Sequence, residues 1–233
     1  MIGIIGGAGP LASALLYQMI LEEHYRRIQG GQQCPLPEIL LFNHSFARGL
    51  TLEESFANQS YLASELEDCI QLLRKAGATR LCVACNTLHG FLPKSMGSDL
   101  VHLPQRVMAA LRQQKVAKAA VLSTETTKEA GLYSDPSIDF VYPSGAEQKL
   151  MNSILDRILE GRILYSDSFC VQRIIRNMQD RHGVTAVILG CTDLPVLHRQ
   201  YPFLVSGIAV FDSIRILAEE VLAKRYNRKL CLR

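Results

Sequence analysis

Short apolar runs that alternate with helix-like stretches predict an α/β protein: two similar three-layer αβα domains with mostly parallel sheets. Three observations carry this expectation. Strand and helix patterns alternate from one end of the chain to the other. Cys85 and Cys191, one in each half, end apolar runs in matching phrases, Leu81-Cys82-Val83-Ala84-Cys85-Asn86-Thr87 and Val187-Ile188-Leu189-Gly190-Cys191-Thr192. At 233 residues the chain is long enough for two modest cores. No detailed internal repeat accompanies the cysteine phrases, so the duplication is read from architecture.

The expected strands are Ile2–Ile5, Glu38–Phe42, Thr79–Ala84, Leu100–Leu103, Ala119–Ser123, Ile138–Tyr142, Thr185–Leu189 and Val205–Ala209. Helices fill the intervals. Thr51-Leu52-Glu53-Glu54 reads as a capping box, where the Thr51 hydroxyl and Glu54 carboxylate satisfy free amides reciprocally. The helix it opens carries Leu52, Phe56, Leu62, Leu66, Ile70 and Leu73 at near-helical spacing and stops at Gly77. Ser144-Gly145-Ala146-Glu147 repeats the capping signal, and Gly161 closes that helix. Pro104 suits a first turn, where no N–H is needed, and Asp212 starts the last helix with a favourable charge. The first domain is expected over 1–103 plus 208–233, carrying Cys85, and the second over 104–207, carrying Cys191.

Composition narrows the classes. Hydrophobic residues make up 48%, an ordinary globular share. The net charge is +3, and basic residues gather only in the tail from Lys224 to Lys229, so nucleic-acid binding is not expected. No run reaches the roughly 18 apolar residues of a membrane span. Pro10 interrupts the first apolar run and no basic flank precedes it, which reads as a buried strand and not a signal peptide. Seven cysteines, several within strand or helix patterns, suit a reduced, cytoplasmic protein.

A thiol just beyond a strand lies at the carboxyl edge of a sheet, where α/β folds handle small molecules. Two such thiols suggest chemistry on both faces of one carbon. Competing motifs are weaker. Cys82 and Cys85 form a CxxC, but there is no second CxxC to complete a zinc site, and strand alternation sends the two to opposite sides. Gly7-Ala8-Gly9-Pro10-Leu11-Ala12 fits a loose dinucleotide pattern, yet the second strand ends at Asn43 without the acidic residue that would hold a ribose. Those glycines more simply let the chain turn tightly. No G-x-S-x-G elbow is present. His89, one turn after Cys85, could tune that thiol, and His44 follows the second strand.

Taken together, Gly6-Gly7-Ala8-Gly9-Pro10, Cys85-Asn86-Thr87-Leu88-His89 and Gly190-Cys191-Thr192-Asp193-Leu194 resemble the aspartate/glutamate racemase superfamily, and its aspartate racemase branch most. Ser123-Thr124-Glu125-Thr126-Thr127 with Gly131-Leu132-Tyr133 resembles the entry loop of the second half. The resemblance runs from Ile2 to the last helix. It implies an active site in the cleft between the two domains, no pyridoxal phosphate and no metal, and a homodimer. It also implies that Cys85 and Cys191 are the catalytic acid and base, and that Asn86, Thr87, Thr124 and Thr192 bind the substrate carboxylate. Arg48, in Phe46-Ala47-Arg48-Gly49-Leu50, is the candidate for the arginine that binds a second carboxylate.

Racemisation of this kind takes a weakly acidic α-proton from one face and returns a proton to the other. With each sulfur at reactive contact with the α-carbon, the thiols should stand roughly 6–7 Å apart. Cysteine suits the task because its thiolate is the base and its ordinary pKa of about 8.5 is tunable. The resemblance is altered where substrate side chains are read: Leu155 and Leu159 replace a tyrosine and a lysine. The expected activity is therefore a cofactor-independent amino-acid racemase whose preferred amino acid is open. The alternatives are another two-cysteine enzyme of the maleate isomerase or hydantoin racemase type, and a non-catalytic amino-acid-binding protein.

Overall fold

The computed structural model describes residues 1–32, 34–46, 59–93 and 97–226. The Thr51 capping box and Arg48 lie outside the described residues, as does the tail beyond Tyr226. Among the described residues the chain forms eight strands, and all eight fall where the apolar runs place them or within a few residues. They divide into two four-stranded sheets, each parallel throughout.

The first sheet contains β1 (Ile2–Gly6), β2 (Ile39–Asn43), β3 (Arg80–Val83) and β4 (Leu100–Val101), in the order β2-β1-β3-β4. Its two central strands are buried at every residue, as a sheet covered by helices requires. Helix α1 (Pro10–Gln29) starts on Pro10, preorganised for a first turn, and buries Ala12, Leu15, Leu16, Met19 and Ile20. It packs on β1 and β2. Helix α2 (Gln59–Lys75) turns Leu62, Leu66, Ile70 and Leu73 inward and stops just before Gly77, whose φ of +92° suits glycine.

The second sheet repeats the pattern with β5 (Lys118–Leu122), β6 (Asp139–Val141), β7 (Ala186–Leu189) and β8 (Ala209–Asp212), in the order β6-β5-β7-β8. Around it lie α3 (Leu103–Gln113), α4 (Glu125–Glu129), α5 (Gly145–Leu159), α6 (Tyr165–His182) and α7 (Asp193–Gln200). Helix α5 has the capping box expected of Ser144 and Glu147. Burial opposes ionisation of Glu147, but Arg181 and the Ser144 contacts outweigh it and bring its carboxyl down to about 2. Met151, Ile154 and Ile158 of α5 pack with Val171, Ile174 and Met178 of α6 and with the β7 side chains Val187 and Leu189. Each such fully buried side chain contributes roughly 1.5–3 kcal/mol relative to exposure. Asp167, almost wholly buried, accepts two hydrogen bonds from Arg157, at 2.7 and 3.0 Å, and so ties α6 to α5.

The compact units differ from the expected division in two places. One unit comprises 1–84, 91–103 and 214–233, and the other 85–90 and 104–213. The return to the first unit comes at Ile214 and not at 208, because β8 pairs with β7 from Ala186 opposite Ala209 to Leu189 opposite Asp212. The expected strand over 205–209 begins late because Ser206 and Gly207 form a turn, with Gly207 at φ +73°. The last helix, α8 (Ser213–Tyr226), follows directly on Asp212. The second difference concerns Cys85, which groups with the second unit together with the residues up to Gly90.

Candidate active site

Cys85 and Cys191 occupy equivalent positions. Each stands two residues past the end of a strand, β3 for Cys85 and β7 for Cys191, and these strands hold the same place in sheets of the same order. In both sheets that place borders the point where strand order reverses, the position at which open α/β sheets bind ligands. The duplication inferred from the cysteine phrases is therefore present in the topology.

Beyond Cys85 the chain enters a 3-10 turn, Thr87–Phe91. Its Leu88 and Thr87 amides and the Thr87 hydroxyl hydrogen bond to the Cys85 sulfur. Burial pushes the Cys85 thiol up to about 11; the amide donors oppose it and the charge of Asp193 adds to it. His89 is buried, and its Nδ1 lies 2.7 Å from the Cys85 carbonyl oxygen. A carbonyl can only accept, so Nδ1 carries the proton. His89 thus braces the Cys85 backbone and does not reach the sulfur by this nitrogen.

Beyond Cys191 the chain enters α7. The Cys191 amide continues the ladder by donating to Leu122 at 3.0 Å. The thiol donates to Oδ2 of Asp193 at 3.6 Å. Burial, and then the Asp193 charge, push Cys191 well above the ordinary thiol range, with a further rise from Cys85. The two sulfurs are therefore close enough for a charge on one to disfavour a charge on the other. Asp193 is itself buried, which raises its carboxyl to about 7 against the hydrogen bond from Cys191. Both cysteines keep 9% of their surface exposed.

Three threonines form a hydroxyl triangle. Thr87 lies 3.0 Å from Thr124 and 3.0 Å from Thr127, and Thr124 is 3.0 Å from Thr127. Thr124 also caps α4 by accepting from the Thr127 amide at 3.2 Å. The expected carboxylate-site residues Thr87 and Thr124 are thus brought together, and Thr192 is buried beside Cys191. Asn86 is buried and engaged at both ends: Oδ1 accepts from the Tyr133 hydroxyl at 2.8 Å, and Nδ2 donates to Ser213 at 3.4 Å.

Elsewhere the structure gives other expected residues local roles. His44 pairs with Glu65 at 3.0 Å in the first unit. Gly7 has φ +108°, and a Cβ there would meet the His44 carbonyl oxygen at 1.8 Å, so the glycine serves a tight turn. Cys82 is fully buried and donates to the Gly3 carbonyl at 3.7 Å. Leu155 packs in the core of the second unit, and Leu159 is half-buried. Sequence reasoning missed Asp193, Tyr133, Thr127 and Ser213 as site components. Asp193 and Tyr133 stand within the quoted motifs. Ser213 had no local signal beyond following Asp212.

A sequence profile of the Asp/Glu/Hydantoin racemase family matches residues 5–221. A glutamate racemase from Aquifex aeolicus is 26% identical over 164 residues, which cover 66% of this chain and 62% of that protein, so the match leaves more than a third of the relative's length outside it. Aspartate racemase from Picrophilus torridus superposes with a TM-score of 0.75 at 20% identity, covering 96% of this chain and 93% of that one. An aspartate racemase homologue from Pyrococcus horikoshii gives 0.69 at 22% identity, covering 96% and 98%. Glutamate racemase from Thermus thermophilus gives 0.65 at 19% identity, covering 96% and 79%. These likenesses establish the fold. Among the described residues no helix is long and apolar enough to cross a membrane.

Proposed function

The chain belongs to the Asp/Glu/Hydantoin racemase family, and from that premise we propose that it is an amino-acid racemase in which Cys85 and Cys191 form a cofactor-independent acid/base pair. One observation carries the reading: two buried thiols at equivalent ends of equivalent strands, each sensing charge in the same small group of side chains. A solitary structural cysteine needs no such counterpart.

The surroundings of the two thiols support distinct roles, although burial raises both. Amide and hydroxyl donors around Cys85 favour its thiolate, whereas the Asp193 carboxylate accepts the Cys191 proton and favours the thiol. With a substrate bound, the Cys85 thiolate removes the α-proton from one face. The Cys191 thiol delivers its proton to the other, which leaves Cys85 as thiol and Cys191 as thiolate. The opposite enantiomer reverses both transfers. Asp193, with its carboxyl near 7, exchanges the Cys191 proton with the surroundings. Thr87, Thr124 and Thr192 line the carboxylate site. As a donor Asn86 contributes at most its second N–H, since Ser213 takes the other. These donors stabilise the enolate-like charge that develops as the proton leaves.

Reduced thiols in this role suit a cytoplasmic setting. The protein acts as a homodimer on a free amino acid, with Arg48 as the partner for a second carboxylate.

The test is α-hydrogen exchange in deuterated water across a panel of L- and D-amino acids, without added cofactor. Cys85→Ala and Cys191→Ala should each abolish racemisation, and racemisation that survives both substitutions refutes the mechanism. Burial of Leu155 in the core favours a second reading, since that position offers no polar group to an acidic side chain. A substrate of the hydantoin type would then be turned over while amino acids are not. Tight amino-acid binding with no exchange would instead mark a binding protein.

A further inference from the structure

We propose that Tyr133 and Ser213 are positioning residues that act through Asn86 to fasten the Cys85 turn to the end of β7, and so fix the spacing of the two thiols. The inference deepens the racemase reading and rests on its assignment of Cys85 and Cys191. It starts from a chain of four hydrogen-bonding groups whose direction is fully determined. The Leu189 carbonyl can only accept, so Ser213 Oγ donates to it, at 2.7 Å. Ser213 then accepts from Asn86 Nδ2 at 3.4 Å, which sets the amide orientation. Asn86 Oδ1 therefore faces Tyr133, whose hydroxyl donates at 2.8 Å. Tyr133, Asn86 and Ser213 are at most 3% exposed, so water offers no substitute partner.

The ends of this chain matter more than its middle. Asn86 directly follows Cys85, and Leu189 stands two residues before Cys191. One hydroxyl, that of Ser213, joins the two cysteine segments. Tyr133 makes a second connection. Its ring lies against Gly190, where an added Cβ would come within 3.3 Å of the Tyr133 ring, 3.3 Å of the Ser123 Cβ and 3.2 Å of the Leu122 carbonyl. Gly190 thus leaves room for the ring beside Cys191, while the Tyr133 hydroxyl reaches the residue next to Cys85. Burial raises the Tyr133 phenol above its ordinary range, so it stays a neutral donor throughout the working pH range. Two-face proton transfer depends on sulfur placement to a fraction of an ångström, and a displacement of about 1 Å can cost roughly 100-fold in rate.

The experiment compares the full-length wild-type chain with Tyr133→Phe and Ser213→Ala. Thiol spacing is read by a length series of bis-methanethiosulfonate cross-linkers, with the joined Cys85 and Cys191 peptides identified by mass spectrometry. Turnover is read as kcat and KM on the amino acid that exchanges best. The expected result is a narrow length preference in the wild type that broadens in both variants, with kcat reduced about 10–100-fold and KM within about twofold. Tyr133→Phe removes a single oxygen and keeps the test open if Ser213→Ala does not fold. Unchanged length preference in a folded variant overturns the proposal, as does a loss confined to KM. If the wild type exchanges no amino acid, the racemase reading fails, and the cross-linking still decides the positioning role.

Discussion

Cys85 and Cys191 occupy corresponding places in two sheets of the same strand order, yet the turns that follow them give the sulfurs different neighbours. After Cys85 comes a 3-10 turn whose Thr87 and Leu88 amides point at the sulfur. After Cys191 comes a helix whose first residue, Asp193, accepts the thiol proton. The shared topology supplies matched thiols, and the residues after each one differ in what they bring to the sulfur. Duplication of the fold thus does not entail duplication of the chemistry.

The largest effect on this comparison comes from deleting either sulfur. Cys85→Ala and Cys191→Ala should each lower racemisation by at least about 10³-fold, measured by chiral chromatography. Next comes Asp193→Asn, which makes the Cys191 turn neutral. It should lower kcat about 10–100-fold and remove the ionisation near pH 7 from the kcat profile. A profile unchanged by the substitution would show that Asp193 has no part in proton transfer.

The same carboxyl also bears on stability. Folded Asp193 keeps its proton to about pH 7, whereas in the unfolded chain it ionises in the ordinary carboxylate range. Between those values the folded state binds more protons, so stability falls as pH rises towards 7. Asp193→Asn should flatten that slope by up to a few kcal/mol, measured by denaturant unfolding at several pH values. Gly190→Ala should cost about 1–3 kcal/mol by crowding Tyr133 and the β5 end, with Ala84, the residue before Cys85, as its tolerated counterpart. The smallest effect belongs to a site remote from both thiols. Ser144→Ala should cost about 1 kcal/mol through the lost cap, with racemisation rates unchanged.

Regular elements were legible because their signals are local. The central strands β1 and β7 are continuous runs of apolar residues and glycine, β3 is apolar after Arg80, and Ser144 with Glu147 announces a helix start within four residues. The cysteine pair was legible for the same reason. What escaped depends on contacts far apart in sequence. Ser213 meets Asn86 across 127 positions and Tyr133 meets it across 47, so no window of sequence reveals either. Asp193 lies two residues from Cys191 in plain view, but its raised carboxyl comes from burial, which spacing does not disclose. The late start of β8 was a misread apolar run: Val205, Ile208 and Ala209 are interrupted by a Ser206-Gly207 turn.

Unequal surroundings of the thiols have a consequence for rates in a racemase. Mirror-image substrates have equal free energy in water, so the equilibrium constant between them is one. The ratio kcat/KM must then be identical for the two enantiomers, however differently the protein treats each sulfur. The carboxylate beside Cys191 and the amides beside Cys85 can therefore show only as a faster turnover for one hand, matched by proportionately weaker saturation with it.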